Sequence, residues 1–235
     1  VSVVAFAPVA GAVWEVERDV WPYAAGSGAL ELAYFALLAA AYRRAELSVV
    51  YPLARGLAPV LVLVVGIAVL GAGSSAGQAA GVCLVGAGVL LVRGFGRHPD
   101  SRGVFFGVAI AACIAAYTLV DDRGIEHANV ISYLELTMLF PAVVYAAGVA
   151  AWKGLPALGA ELGPAAVVAG LATFVAYALV LGALDLAAAA PVAAVRETSV
   201  VIATAGAALV LRERVGPGRL AGAILVAGGV ALLAV

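Results

Sequence analysis

Apolar runs of membrane-crossing length alternate with short polar segments along nearly the whole chain. They predict helical spans at about 24–42, 47–70, 77–92, 103–120, 130–151, 162–184, 187–211 and 218–235, because roughly 20 apolar residues cover the hydrocarbon core of a bilayer. The linkers Gly71 to Gly77, Arg93 to Arg102, Asp121 to Asn129, Trp152 to Glu161 and Arg212 to Gly218 are short and carry turn formers. Residues 1 to 13 are apolar but too short to span, and read as the tail of a helix whose beginning is absent from the sequence.

Two of the spans break the apolar pattern in the same way. Residues 47 to 70, LSVVYPLARGLAPVLVLVVGIAVL, carry Tyr51, Pro52, Arg55 and Pro59 in their first half. An arginine at such depth costs roughly 2.5 to 3.5 kcal/mol on insertion scales, so it needs water, a ligand or a partner. Pro59 and Pro52 cannot donate to the carbonyls of Arg55 and Ser48, which leaves acceptors at the arginine's level. Residues 187 to 211, AAAAPVAAVRETSVVIATAGAALVL, place Arg196 shortly after a proline. A shift of 141 residues lays Arg196 on Arg55, Val210-Leu211 on Val69-Leu70, Gly218 on Gly77, Gly222 on Gly81, Leu225-Val226 on Leu84-Val85 and Gly229 on Gly88. This is an internal repeat.

The offset covers five spans, an odd number, so the halves are expected to enter the membrane in opposite orientations. Charge agrees. Arg43, Arg44, Arg93, Arg97, Arg102, Lys153, Arg212, Arg214 and Arg219 fall in loops on one side; Arg18 and Arg123 fall on the other, among Glu15, Glu17, Asp19, Asp121, Asp122 and Glu126. The positive-inside rule puts the first set in the cytoplasm. The spans after Gly77 and Gly218 share a G-x-x-x-G spacing, which suits close packing of two helix backbones, within the chain or across a homodimer.

Composition sharpens the class. Of 235 residues, 65% are hydrophobic and 11% charged, against about 25% charged in a soluble domain, so the chain is expected to be an all-α, polytopic membrane helix bundle with the lipid bilayer as its first partner. A net charge of −1 argues against a nucleic-acid partner. Cys83 and Cys113 lie inside apolar runs and read as small buried thiols. His98 and His127 fall in loops on opposite sides and cannot share a metal; no metal or cofactor is expected. Gly71 to Ala76 mimics a dinucleotide-binding turn, but it joins two spans and lacks the following acid.

The stretches AYRRAELSVVYPLARGLAP (41 to 59), AYTLVDDRG (116 to 124) and APVAAVRETSVVIATAGAALVLRERVGPGRLAGAILVAGGVALL (190 to 233) resemble the EamA-like members of the drug/metabolite transporter superfamily. The resemblance implies ten helices in two inverted five-helix repeats around a central cavity, moving small metabolites or drugs, often outward. It divides the chain into a first repeat at 1–93, lacking the first helix and part of the second, and a second repeat at 102–235. The family's leucine-glycine-glutamate-like turn is matched by Glu213, whereas the first half has Gly71-Ala72-Gly73 and no acid.

Candidate site residues follow from depth and spacing. Tyr51 and Arg55 share a face, four residues apart, as do Tyr117 and Asp121. Arg55 with Tyr51, and Arg196 from the other half, are suited to hold a carboxylate or similar anion. The competing role is a permanent pair with Glu31, Glu135 or Glu197; Glu197 lies about 100° round the helix from Arg196, so those two should not pair. Thr198 and Ser199 could return bonds to freed carbonyls. Tyr34, Tyr117, Tyr133 and Tyr177 could stack on a substrate. Glu31, Glu135 and Glu197 are acids within apolar surroundings, the kind of group a proton-coupled carrier uses.

The reading that joins these features is a secondary transporter in the plasma membrane, an exporter by family resemblance, taking a small anionic or zwitterionic solute such as an amino acid or a drug. It would rock one repeat against the other around a midplane site. Two alternatives remain open: a membrane enzyme acting on lipid phosphates, which would use Asp121, Asp122 and Glu126, and a non-transporting membrane partner or remnant.

Overall fold

The computed structural model describes residues 2–45, 47–93, 101–154, 156, 159, 163–209 and 216–233. Arg97, His98, Glu161, Val210, Leu211, Arg212, Glu213 and Arg214 lie outside the described residues. The described chain is helical: α1 Ser2–Ala12, α2 Val20–Arg44, α3 Leu47–Leu70, α4 Ala76–Arg93, α5 Ser101–Gly124, a 3-10 turn Ile125–His127, α6 Val130–Lys153, α7 Pro164–Leu184, α8 Ala189–Arg196, α9 Thr198–Leu209 and α10 Pro217–Leu233. Among the described residues, five helices are long and apolar enough to cross a membrane: Val20–Arg44, Val49–Leu70, Ser101–His127, Val130–Lys153 and Pro164–Leu184. Their outward faces are apolar as well, with Val64, Ile67, Leu139, Val168 and Leu179 all exposed, which is the surface a lipid-facing bundle presents.

Three expectations change. The run 187 to 211 is not one helix: it stops at Arg196 and restarts at Thr198. α5 runs on to Gly124, so Asp121 is not a loop residue but sits in the helix, fully buried. Cys83 is exposed and Cys113 half-buried, both as free thiols. An apolar run in a membrane helix does not imply burial, because the lipid-facing side is apolar too.

The chain forms two compact units, and each draws on both halves of the sequence. The first comprises Val1–Leu32 and Val120–Leu186. Here α1 packs on α6 and α7, with Phe6 stacked on Phe174 at 4.2 Å between ring centroids. The acidic segments around Val16 and Ala128 meet in an isolated antiparallel bridge, where Glu17 N–H donates to the His127 carbonyl and Asn129 N–H to that of Glu15, both at 2.9 Å. Glu17 also bonds the His127 ring, at 3.2 Å, and Tyr23 stacks on that ring. The Asn129 side chain then caps α6 by accepting from Ile131 N–H.

The second unit comprises Ala33–Leu119 and Ala187–Val235. Gly71, at φ +65°, ends α3 in the left-handed conformation that glycine adopts without strain. Ser75 and Gln78 then cap the start of α4 reciprocally, each side chain bonding the other's backbone N–H at 3.1 Å. Helices α4 and α10 pack along their glycine faces. A Cβ at Gly81 would lie 2.8 Å from the Gly229 carbonyl, and one at Gly88 would lie 2.7 Å from that of Gly222. The pairing is therefore antiparallel: each of Gly81 and Gly88 meets the counterpart of the other, not its own, under the 141-residue shift. Val82, Val85, Val89, Ala223 and Val226 fill the interface, with Leu63 and Ala194 beside them. Gly56 and Gly86 bring α3 equally close to α4.

Gly229 and its neighbour Gly228 give an internal control. A Cβ at Gly229 would meet the Gly81 carbonyl at 2.7 Å, whereas nothing lies within 4 Å of one at Gly228. Gly229→Ala is expected to destabilise the purified protein by roughly 1 to 3 kcal/mol through overpacking. Gly228→Ala is expected to be neutral or slightly stabilising, since alanine is the better helix former. Thermal unfolding of both variants in detergent checks the difference.

Candidate functional site

The break in the membrane-length segment after α8 positions the chemistry of the second unit. Arg196 is the last residue of α8, and Glu197 caps it with φ −76° and ψ −2°, its N–H bonded to the Ala194 carbonyl at 3.0 Å. The Thr198 hydroxyl donates to the Val195 carbonyl at 2.7 Å, satisfying an acceptor that the break releases. Discontinuous helices of this kind are tolerated in membranes where the irregular backbone is buried in protein or lines a cavity.

Opposite the break, α3 runs without interruption and carries Tyr51 and Arg55 one turn apart. Arg55 Nη1 lies 3.2 Å from Glu197 Oε1, with 26% of the arginine side chain and 3% of the glutamate side chain exposed. The Arg55 guanidinium carbon is also 5.7 Å from the centroid of the Tyr51 ring, within cation-π range. Tyr34 meets Tyr117 edge-on at 6.2 Å. Tyr34 lies within electrostatic reach of Arg55 and Arg196, as does Glu197. Thus Tyr51, Arg55, Tyr117, Arg196 and Glu197 fall in one cluster, joined by Tyr34.

Glu197 is the partner of Arg55 rather than Glu31 or Glu135. Its other oxygen, Oε2, is buried and has no hydrogen-bond partner among the described residues. A carboxylate oxygen in that situation carries a desolvation cost that a proton or a ligand's ammonium group would relieve. The guanidinium and the open oxygen together present both charge signs within one small region.

Tyr177, Glu31 and Glu135 belong to the first unit. Tyr177 is buried and donates its hydroxyl to Asp121 Oδ2; Tyr133 donates to Asp121 Oδ1 at 2.9 Å. Glu31 is buried near Tyr133, and Glu135, also buried, keeps Oε2 without a partner among the described residues. Asp121 is the residue that sequence reasoning placed wrongly. Its signal was available in the four-residue spacing from Tyr117, which continues the helix face past residue 120.

Comparison with known proteins bears on what these clusters serve. None of the curated proteins matches the chain. A solved crystal structure is similar over 90% of this chain and 75% of its own length, at 17% identity and a TM-score of 0.67, a likeness of fold. The model of the EamA-like transporter family matches residues 101–235. That match covers more than half of a chain already shown to be an apolar helix bundle, and this multi-pass membrane protein belongs to the EamA-like transporter family.

Proposed function

We propose that the protein is a secondary transporter of small zwitterionic metabolites, amino acids foremost, with the Arg55 and Glu197 cluster as its substrate site. The observation that carries this reading is the buried ion pair at a helix break, with one glutamate oxygen left open. A zwitterion can exchange that single pair for two: its carboxylate takes the Arg55 guanidinium, with Arg196 nearby, and its ammonium takes Glu197. Bidentate geometry suits arginine to the carboxylate. Tyr51, Tyr34 and Tyr117 supply aromatic walls for the side chain of the substrate.

Inverted repeats at 1–93 and 102–235 fit the antiparallel packing of α4 on α10, two helices that are equivalent under the shift. Alternating access follows as one repeat rocks against the other around the site. Outward transport across the plasma membrane rests on family analogy. Proton coupling would use Glu197, Glu31 or Glu135, and Tyr177 would then act through Asp121 rather than on the substrate. The glycine faces of α4 and α10 are occupied within the chain, so a homodimer would use other surfaces. The enzyme alternative is disfavoured because Asp121 is buried under two tyrosines instead of standing with Asp122 and Glu126 at a surface.

Proteoliposomes challenged with amino acids, their methyl esters and their N-acetyl forms test the reading. Flux of the zwitterions is expected, with at least about tenfold loss on removing either charge from the solute, the effect of roughly 1.4 kcal/mol of lost transition-state binding. Equal flux of the ester and the amino acid would refute the site. Coupling is tested in the same vesicles by an imposed pH gradient: Glu31→Gln is expected to abolish gradient-driven flux while substrate binding persists.

A further inference from the structure

Polar groups of the first unit are buried where its helices meet: Ser27 and Glu31 on α2, Asp121 on α5, Tyr133 on α6 and Tyr177 on α7. Tyr133 gives its hydroxyl proton to Asp121 Oδ1 at 2.9 Å, so its oxygen has only lone pairs to offer any other neighbour. Both Ser27 and Glu31 lie within reach of this tyrosine. Ser27 Oγ approaches the hydroxyl but completes no hydrogen bond among the described residues, although the residue is 0% exposed. A hydroxyl taken out of water in this way calls for a partner.

The same face of α2 meets a backbone acceptor. Pro141 has no N–H to give the Thr137 carbonyl, and that carbonyl stands against Gly28, 3.0 Å from where a Cβ would be. A turn of about 100° per helical residue sets Glu31 between Ser27 and Gly28 on this face, and the lean of helical side chains toward the N-terminus brings its carboxylate back toward their level. Serine, glutamate and tyrosine oxygens thus gather beside a proline-freed carbonyl, with the charge of Asp121 behind the tyrosine. Every donor is oxygen, and no group of three or more His, Cys, Asp or Glu side chains forms among the described residues. That set lacks the nitrogen and sulfur ligands of a zinc site and the carboxylates of a calcium site. Freed carbonyls inside a membrane bundle are ligands for sodium, and the close approach of α2 to α6 favours it over the larger potassium.

We infer that Ser27, Glu31, Tyr133 and the Thr137 carbonyl bind a sodium ion, its charge balanced by Glu31 and Asp121. The ion gives the Ser27 hydroxyl its partner and ties α2 to α6. The site lies wholly in the first unit, and its occupancy does not depend on what the Arg55 cluster holds. A proton on Glu31 would displace the ion.

The test titrates the full chain in detergent with radioactive sodium, at one mildly alkaline pH and with no transported solute present. Thermal unfolding is followed in sodium, potassium and N-methylglucamine chlorides of equal ionic strength. The wild type is expected to bind sodium saturably, to release it to unlabelled sodium but not to potassium, and to melt highest in the sodium salt. Ser27→Ala is expected to weaken binding roughly tenfold or more, since even indirect partners of a bound metal contribute that much. In the sodium-free salts it should melt no lower than the wild type, because it removes a hydroxyl with no bond to lose. Glu31→Gln is expected to lose sodium binding, and Ser27→Ala decides alone if that variant does not fold. No sodium binding by the wild type, equal displacement by potassium, binding that survives either substitution, or a Ser27→Ala variant that melts lower in every salt would each overturn the proposal.

Discussion

Arg55→Met is expected to destabilise the protein by about 3 kcal/mol, the lower end of the range for removing one member of a buried ion pair. The reason is what remains. Glu197, with 3% of its side chain exposed, would be left as a buried acid without the guanidinium that compensates it. The lower end applies because a quarter of the Arg55 side chain is exposed and part of its attraction is screened. Arg55→Met combined with Glu197→Leu should recover most of the loss, since an apolar pair of similar volume avoids the desolvation of both charges. Neither variant is expected to transport a zwitterion. Unfolding in detergent, run beside proteoliposome flux, separates the outcomes. A double variant less stable than Arg55→Met would show that the two charges are not coupled. Wild-type flux through the stable double variant would remove the cluster from the transport site.

That expectation draws on residues whose placement was only partly legible in the sequence. Hydropathy locates the long spans because membrane length and apolarity are strong, local signals; α2, α3, α6 and α7 fall close to where the runs place them. The arginine at position 55 announces a partner on energetic grounds alone, and the angular offset between Arg196 and Glu197 leaves Glu197 free to look elsewhere. Which of three acids answers Arg55 depends on tertiary packing, to which no local pattern has access. The break at Glu197 is hidden for another reason. Neither proline nor glycine occupies positions 196 to 198, and the Thr198 hydroxyl that stabilises the interruption is common within membrane helices. The repeat offset exposes the paired glycines of α4 and α10, whereas the equally close Gly56 and Gly86 contact has no counterpart in the shift and was not legible.

Asp121→Leu is expected to produce the other large loss, and in the first unit. The consecutive acids Asp121 and Asp122 read as the start of a loop, yet α5 continues past them and buries the first. There it accepts hydroxyl bonds from Tyr133 on α6 and Tyr177 on α7, so one carboxylate ties three helices together. Leucine would take the acceptor from both tyrosines, at about 1 to 3 kcal/mol for each buried hydroxyl that loses it. Asp121→Asn should cost about half as much, because the amide offers one acceptor oxygen where the carboxylate offers two. The triple change Asp121→Leu, Tyr133→Phe and Tyr177→Phe should be milder than Asp121→Leu alone, since both hydroxyl donors are removed together with the acceptor they share. Gly124→Ala probes the same cluster from the side: a Cβ there would overlap the Tyr133 ring, so the ring must shift and its bond to Asp121 lengthen. Hydrogen exchange at α6 and α7 should rise in Asp121→Leu and Gly124→Ala and return toward the wild-type pattern in the triple variant. If Asp121→Leu melts with the wild type, the carboxylate does not join these helices, and the tyrosines are held by packing alone.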